Sequence, residues 1–255
     1  MITEQNYYKH RTKESVSERV LGAVVQEALK LAEENTSKKI SQLVVLDVGS
    51  GSGEYSFVLE RYVKKVVGVE PYLPKHREAI KGKKKRRSSV VFVNKKIEDF
   101  SSKQKFDLVL SITTIEHMPE SEKSFRKIFN LMNKGGLLYL TSPNKSWPIE
   151  AHYHLPFLSW LPLKWANKYM QLTRKGETYE DCSYSLTYRG TKKFFDQFPC
   201  KYRFIVPENA DVGYLGCGEG DGFYRLGLKI GIRLIKISPF FWNFSKGFVL
   251  IAIKK

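Results

Sequence analysis

Three glycines, Gly49, Gly51 and Gly53, stand on alternate positions behind Asp47 in the stretch VVLDVGSGSGEYSFVLE, residues 44–60. Glycine in a strand-to-helix turn reaches backbone angles closed to other residues and lets a ligand approach the main chain. The spacing therefore predicts a ligand held by backbone amides at a helix start. A dinucleotide fingerprint needs a further glycine three places after the second, and that position is Glu54. A carboxylate there competes with phosphate for the same amides. Glu70 closes the next apolar run, 17 positions after Gly53 (70 − 53), where a carboxylate can accept two hydrogen bonds from a ribose diol. The expected ligand carries a ribose and no pyrophosphate.

A second set of residues could move protons. TTIEHMPE places Glu116 and His117 just after an apolar run, and EAHYH adds His152 and His154. Histidine is the commonest general base, and His117 is the first candidate; capping or packing of its loop is the other reading. The run KGKKKRR, residues 81–87, has no interleaved aromatic of the kind that stacks bases. It reads as a solvated loop or helix end with weak, nonspecific attraction to anionic surfaces.

The elements that must position these groups follow from hydrophobic period. Residues 14–35 carry Val16, Val20, Leu21, Val24, Ala28 and Leu31 on one helical face. Continuous apolar runs at 43–48, 64–70, 90–94, 106–113 and 137–142 read as buried parallel strands. Helices are expected at 54–63 and 121–133, with KGG at 134–136 ending the second. Strands alternating with helices imply an α/β fold, a mostly parallel, doubly wound sheet. The Trp-, Pro- and His-rich segment 143–189 breaks this pattern and reads as a lobe inserted after strand five. A helix at 188–198 and strands at 201–207 and 246–255 complete the sheet. The expected organisation is an N-terminal helical segment (1–40), a ligand-binding core (41–142), the lobe (143–189) and a C-terminal part (190–255).

With 255 residues, 42% of them hydrophobic and 13% aromatic, the chain can build a real core, which excludes wholesale disorder. Cys182, Cys200 and Cys217 form no CxxC pair, which argues against a zinc ribbon and for a reducing compartment. The start carries no apolar signal region, and Lys229, Arg233, Lys236 and Lys246 interrupt the longest apolar region. A cytoplasmic location is expected. The net charge of +17 favours anionic partners, namely nucleic acid such as RNA, an acidic membrane surface or a phosphorylated substrate, or else reads as dispersed, solvated lysines.

Five segments in order, LDVGSGSGEYS, VVGVEP, KIEDF, FDLVLSITTIEHM and LMNKGGLLYLTSPN, resemble the motifs of the class I S-adenosylmethionine-dependent methyltransferases. The resemblance covers roughly residues 40–142. It implies a seven-stranded Rossmann-like sheet with its last strand antiparallel, and S-adenosyl-L-methionine as cofactor. By that resemblance the amides near Gly49, Gly51 and Gly53 face the methionine part, and Asp47 fixes their loop. Glu70 holds the ribose, Pro71 and Tyr72 lie beside the adenine, Ile97 and Glu98 border its edge, and Ser111 lies under the sulfonium.

Methyl transfer from a sulfonium is an in-line displacement in which alignment supplies much of the rate; a base matters when the acceptor is a hydroxyl. Quinone-biosynthesis O-methyltransferases and small-RNA 3′-end methyltransferases can carry a metal-binding acid three positions before the Glu-His pair. In this sequence that position is Thr113, so no metal site is expected, although His152 or His154 could complete a different one. Trp147, Tyr153, Phe157, Trp160, Leu161 and Trp165 make the lobe aromatic and apolar. They suit a hydrophobic or aromatic acceptor, a membrane-touching lobe, or a small core of the lobe itself. The leading expectation is O-methylation of a small or lipid-linked molecule. The alternatives are an RNA methyltransferase and a non-catalytic cofactor-binding protein.

Overall fold

The computed structural model describes residues 17–207 and 222–255; Cys217 and the start of the N-terminal segment lie outside them. Helix α1 (Glu18–Asn35) starts where the Ser17 hydroxyl accepts the Val20 amide, and it buries Val24, Val25, Ala28 and Leu29. Strand β1 (Val44–Val48) then enters the sheet centre fully buried. It is followed by α2 (Glu54–Leu59), β2 (Lys65–Val69), α3 (Leu73–Arg86), β3 (Val91–Val93) and β4 (Phe106–Ile112). Next come α4 (Ser121–Leu131), β5 (Met132–Pro143), α5 (Leu163–Leu172), α6 (Tyr188–Phe195), β6 (Cys200–Phe204), α7 (Gly222–Ile237) and β7 (Gly247–Lys254).

The seven strands lie in the order β3-β2-β1-β4-β5-β7-β6. β1 to β5 pair in parallel, and β7 runs antiparallel to both β5 and β6. This is the doubly wound, mostly parallel sheet that the sequence predicts. Each face has its own core. Val24, Ala28 and Leu29 of α1 pack with Val45, Leu108 and Leu110 on one side; Phe125 and Phe129 of α4 and Phe195 of α6 pack with Leu46, Val109 and Leu138 on the other. The chain winds away in opposite directions from β1 and β4, so a crevice opens at their carboxyl ends, where such sheets bind ligands.

Two local expectations need correction. α2 ends at Leu59, four residues short of the expected 54–63. The KGG run caps no helix. Buried Met132 turns the chain straight into β5, where Met132 pairs with Phe106 and Leu137 with Leu108, so residues 133–136 bow out. A Cβ on Gly136 would lie 2.9 Å from the Asn133 carbonyl oxygen and 3.1 Å from that of Phe106. The basic run closes α3, the helix-end reading of the two, with Lys83, Lys84, Lys85 and Arg86 in its last turn, where cations suit the helix dipole. Helix α7 occupies what the sequence pattern shows only as a broken apolar region.

Segment 143–187, between β5 and α6, has a small core of Tyr153, Leu155, Leu158, Ala166, Met170, Tyr179 and Cys182. Of the six apolar residues that mark the lobe in the sequence, Tyr153 is buried in this core, while Phe157, Trp160, Leu161 and Trp165 point outward. No helix among the described residues is long and apolar enough to cross a membrane.

Candidate active site

The crevice is a cavity of about 1030 Å³ at the carboxyl ends of β1, β2, β4 and β5, walled also by the lobe and by α7. That is at the upper end of the range for small-molecule sites, enough for a cofactor and an acceptor side by side.

The glycine turn forms its floor. The amides of Gly49 and Ser50 donate to the Val69 carbonyl oxygen at 2.8 and 3.1 Å, which ties the turn to the end of β2. Gly51 has φ +54° and nothing within 4 Å of where a Cβ would stand; that space belongs to the cavity. Gly53, at φ +86°, lies off the cavity wall: a Cβ there would meet the Phe92 ring at 2.6 Å. Its absence of a side chain therefore serves packing and not ligand approach.

Buried Asp47 accepts the Ser56 hydroxyl at 2.6 Å and so pins β1 to α2. Burial pushes its carboxyl up to about 6, against the lowering effect of that hydrogen bond, with Glu70 adding a further push upward. Glu70 is also buried and faces the cavity. One carboxylate oxygen accepts the Gly51 amide and the other the Tyr72 amide, each at 2.8 Å. Asn94 steadies the same corner by donating to the carbonyl oxygens of Glu70 and Pro71 at 2.8 and 2.9 Å.

Pro71, Ile97 and Glu98 reach the cavity wall, and the Ser124 hydroxyl donates to Glu98. Tyr72 and Ser111 do not reach it. Tyr72 contributes its amide to Glu70, while Ser111 is fully buried, paired with Val48 and Leu140 on the adjacent strands. The wall at the β4 end is made instead by Ile112, Thr113 and Thr114.

Beyond β4 the cavity meets Glu116, His117, His152 and His154. His152 and His154 both border the cavity, His154 with a positive φ of 55°. His117 Nδ1 lies 2.6 Å from the Asp181 carbonyl oxygen. A carbonyl can only accept, so Nδ1 carries the proton and the basic lone pair of the ring is on Nε2. The His117 and His152 rings are 5.0 Å apart, and His152 Nε2 stands 3.8 Å from the buried Glu116 carboxylate. Ligand atoms of His117, His152 and Cys182 lie within 4.8 Å of one another, a set that could hold a metal ion.

Behind these groups is a layer that the sequence did not announce. Glu150 accepts the amides of His152 and Tyr153 at 2.7 and 2.6 Å, and burial pushes its carboxyl up to about 7 against the lowering effect of those bonds. The Tyr153 hydroxyl donates to Asp181 at 3.2 Å. Gly227, Gly231 and Ile235 of α7, together with Trp242 and Phe244, close the far side.

A methyltransferase-domain family matches residues 10–181 of the chain, and the chain belongs to that family. Among its relatives is the ubiquinone biosynthesis O-methyltransferase of Bradyrhizobium diazoefficiens, 24% identical over 187 residues, which cover 70% of this chain and 71% of the relative. That of another Bradyrhizobium strain is 27% identical over 129 residues, covering 48% of this chain and only 50% of the relative; the chain thus spans about half the length of several of these relatives. In structure it resembles the plantazolicin methyltransferase BpumL, solved with a desmethylplantazolicin analogue and S-adenosylhomocysteine (TM-score 0.60, 15% identity, 98% of this chain and 89% of that one). It also resembles YcgJ of Bacillus subtilis (TM-score 0.55, 15% identity, 94% and 99%). The chain thus carries a methyltransferase-family domain on a Rossmann-like fold.

Proposed function

We propose that this enzyme methylates a hydroxyl oxygen of a small or lipid-linked acceptor, with His117 as general base. The observation that carries this reading is the 2.6 Å contact of His117 Nδ1 with the Asp181 carbonyl oxygen, which leaves the basic lone pair on Nε2, a buried atom of a ring that borders the cavity. The name of the relatives, O-methyltransferases of ubiquinone biosynthesis, supports oxygen as the acceptor atom.

The residues present fit the cofactor. The open space at Gly51 admits a ligand against the backbone, and buried Glu70 offers a carboxylate beside it. Glu70 would hold the ribose hydroxyls, Pro71, Ile97 and Glu98 would border the adenine, and Gly49 and Gly51 would face the methionine part. Asp47 would hold the turn in place through Ser56. When bound, S-adenosylmethionine supplies an activated methyl group. His117 Nε2 would take the acceptor's hydroxyl proton as the oxygen attacks, and Glu116 and His152 would stabilise the resulting imidazolium.

Proton transfer to His117 requires no metal, in keeping with Thr113 in place of an acid. The test is methyl transfer from labelled cofactor to a hydroxylated aromatic acceptor by wild type and His117→Asn. Loss of turnover with unchanged cofactor affinity supports the base; unchanged turnover removes it.

A further inference from the structure

Helix α7 carries three longitudinal stripes, each one residue, or about 100°, further round than the last. Gly227, Gly231 and Ile235 border the cavity. One step back, Leu226, Ile230, Leu234 and Ile237 form an apolar row exposed by 54, 49, 36 and 77%. A further step back are the exposed cations Lys229, Arg233 and Lys236. A helix in water does not ordinarily present a four-residue apolar row beside a row of cations; one lying in a lipid interface does.

The chain after the helix continues the pattern. Phe240 and Phe244 are 62 and 61% exposed, with ring centroids 5.5 Å apart, and Phe244 also borders the cavity. The exposed apolar surface and the cavity mouth therefore share a residue. Residues 222–255 contain seven Lys and Arg and no Asp or Glu, so this surface complements negative charge.

We propose that the exposed row of α7, with Phe240 and Phe244, docks on an anionic lipid bilayer and lets an amphipathic acceptor enter the cavity from the lipid phase. This rests on the acceptor being lipid-linked, as under Proposed function. The helix would lie in the headgroup plane, its apolar row in the acyl boundary and its cations against lipid phosphates. The glycine-bearing stripe would stay turned toward the cavity.

The test is co-sedimentation of the full-length protein with vesicles of phosphatidylcholine alone and of equal parts phosphatidylcholine and phosphatidylglycerol. Wild type should bind the anionic vesicles, and binding should weaken as salt is raised. Ile230→Ser with Ile237→Ser should reduce this binding at least tenfold, and so should Lys229→Ser with Arg233→Ser. Cofactor titration by calorimetry verifies that each variant is folded. Equal binding by wild type and the apolar variant, or no binding by wild type, overturns the proposal. So does a wild-type dimer that the apolar variant turns into monomers, because a second copy then covers the face. Methylation of a detergent-solubilised hydroxylated acceptor reads the catalytic proposal separately: if it proceeds while vesicles are ignored, docking alone has failed.

Discussion

The Glu70 carboxylate accepts the Gly51 amide at 2.8 Å, joining the end of β2 to the glycine of the turn with open cavity space beside its Cα. The acid and the glycine that the sequence marks separately form one unit. Glu70→Ala should weaken cofactor binding by about 2–4 kcal/mol, because charge-assisted hydrogen bonds are lost. Glu70→Gln should recover part of this. Calorimetric affinities equal to wild type for both variants would place the ribose reader elsewhere.

Gly51 and Gly53 should respond differently to substitution. Gly51→Val fills open cavity space, so it should abolish cofactor binding, and a β-branched residue at φ +54° should also lower the melting temperature. Gly53→Ala drives a methyl group into Phe92 in a left-handed backbone, which should cost stability by roughly 1–3 kcal/mol. Thermal melts and cofactor titrations of the two variants separate these effects.

Chelation should leave the rate of methyl transfer unchanged, because the proton passes to a histidine. A rate that collapses with chelator and returns with zinc would assign His117, His152 and Cys182 as ligands, and the proton would then leave an acceptor bound to the metal.

Two buried aspartates give stability opposite pH slopes. Burial pushes the Asp107 carboxyl up, but hydrogen bonds from Lys38, Val44 and Asn133 outweigh it and hold it below the usual range. Its stabilisation is present above about pH 4 and is lost as pH falls through the depressed folded value. Asp47 titrates at about 6 in the folded chain; between about pH 4 and 6 the folded state holds a proton that the unfolded state has lost, so stability falls as pH rises. Denaturant melts of Asp47→Asn should flatten that window, and those of Asp107→Asn should remove the acid limb.

The sheet was legible because parallel strands buried on both faces leave continuous apolar runs, as in LVVLDV and FDLVLSI. The glycine turn and Glu70 were legible because backbone geometry and strand length fix where they fall. The Asp181 contact to His117 was not, since it joins residues 64 positions apart through an irregular lobe. Family resemblance puts Ser111 and Tyr72 at the cofactor, whereas neither lines the cavity. Helix α7 was hidden by its own cations, which argue against a membrane span and thereby mask an amphipathic period.

Whether oxygen of a small or lipid-linked molecule is the acceptor is tested most directly by the fate of the methyl group. Purified enzyme, methyl-labelled S-adenosylmethionine and cell extract are incubated, and the products are separated into RNA, lipid and small-molecule fractions. Label should appear in the lipid or small-molecule fraction, as a methyl ether formed by wild type and lost in His117→Asn. Label confined to RNA, or to nitrogen or carbon of a small acceptor, would contradict O-methylation with His117 as base.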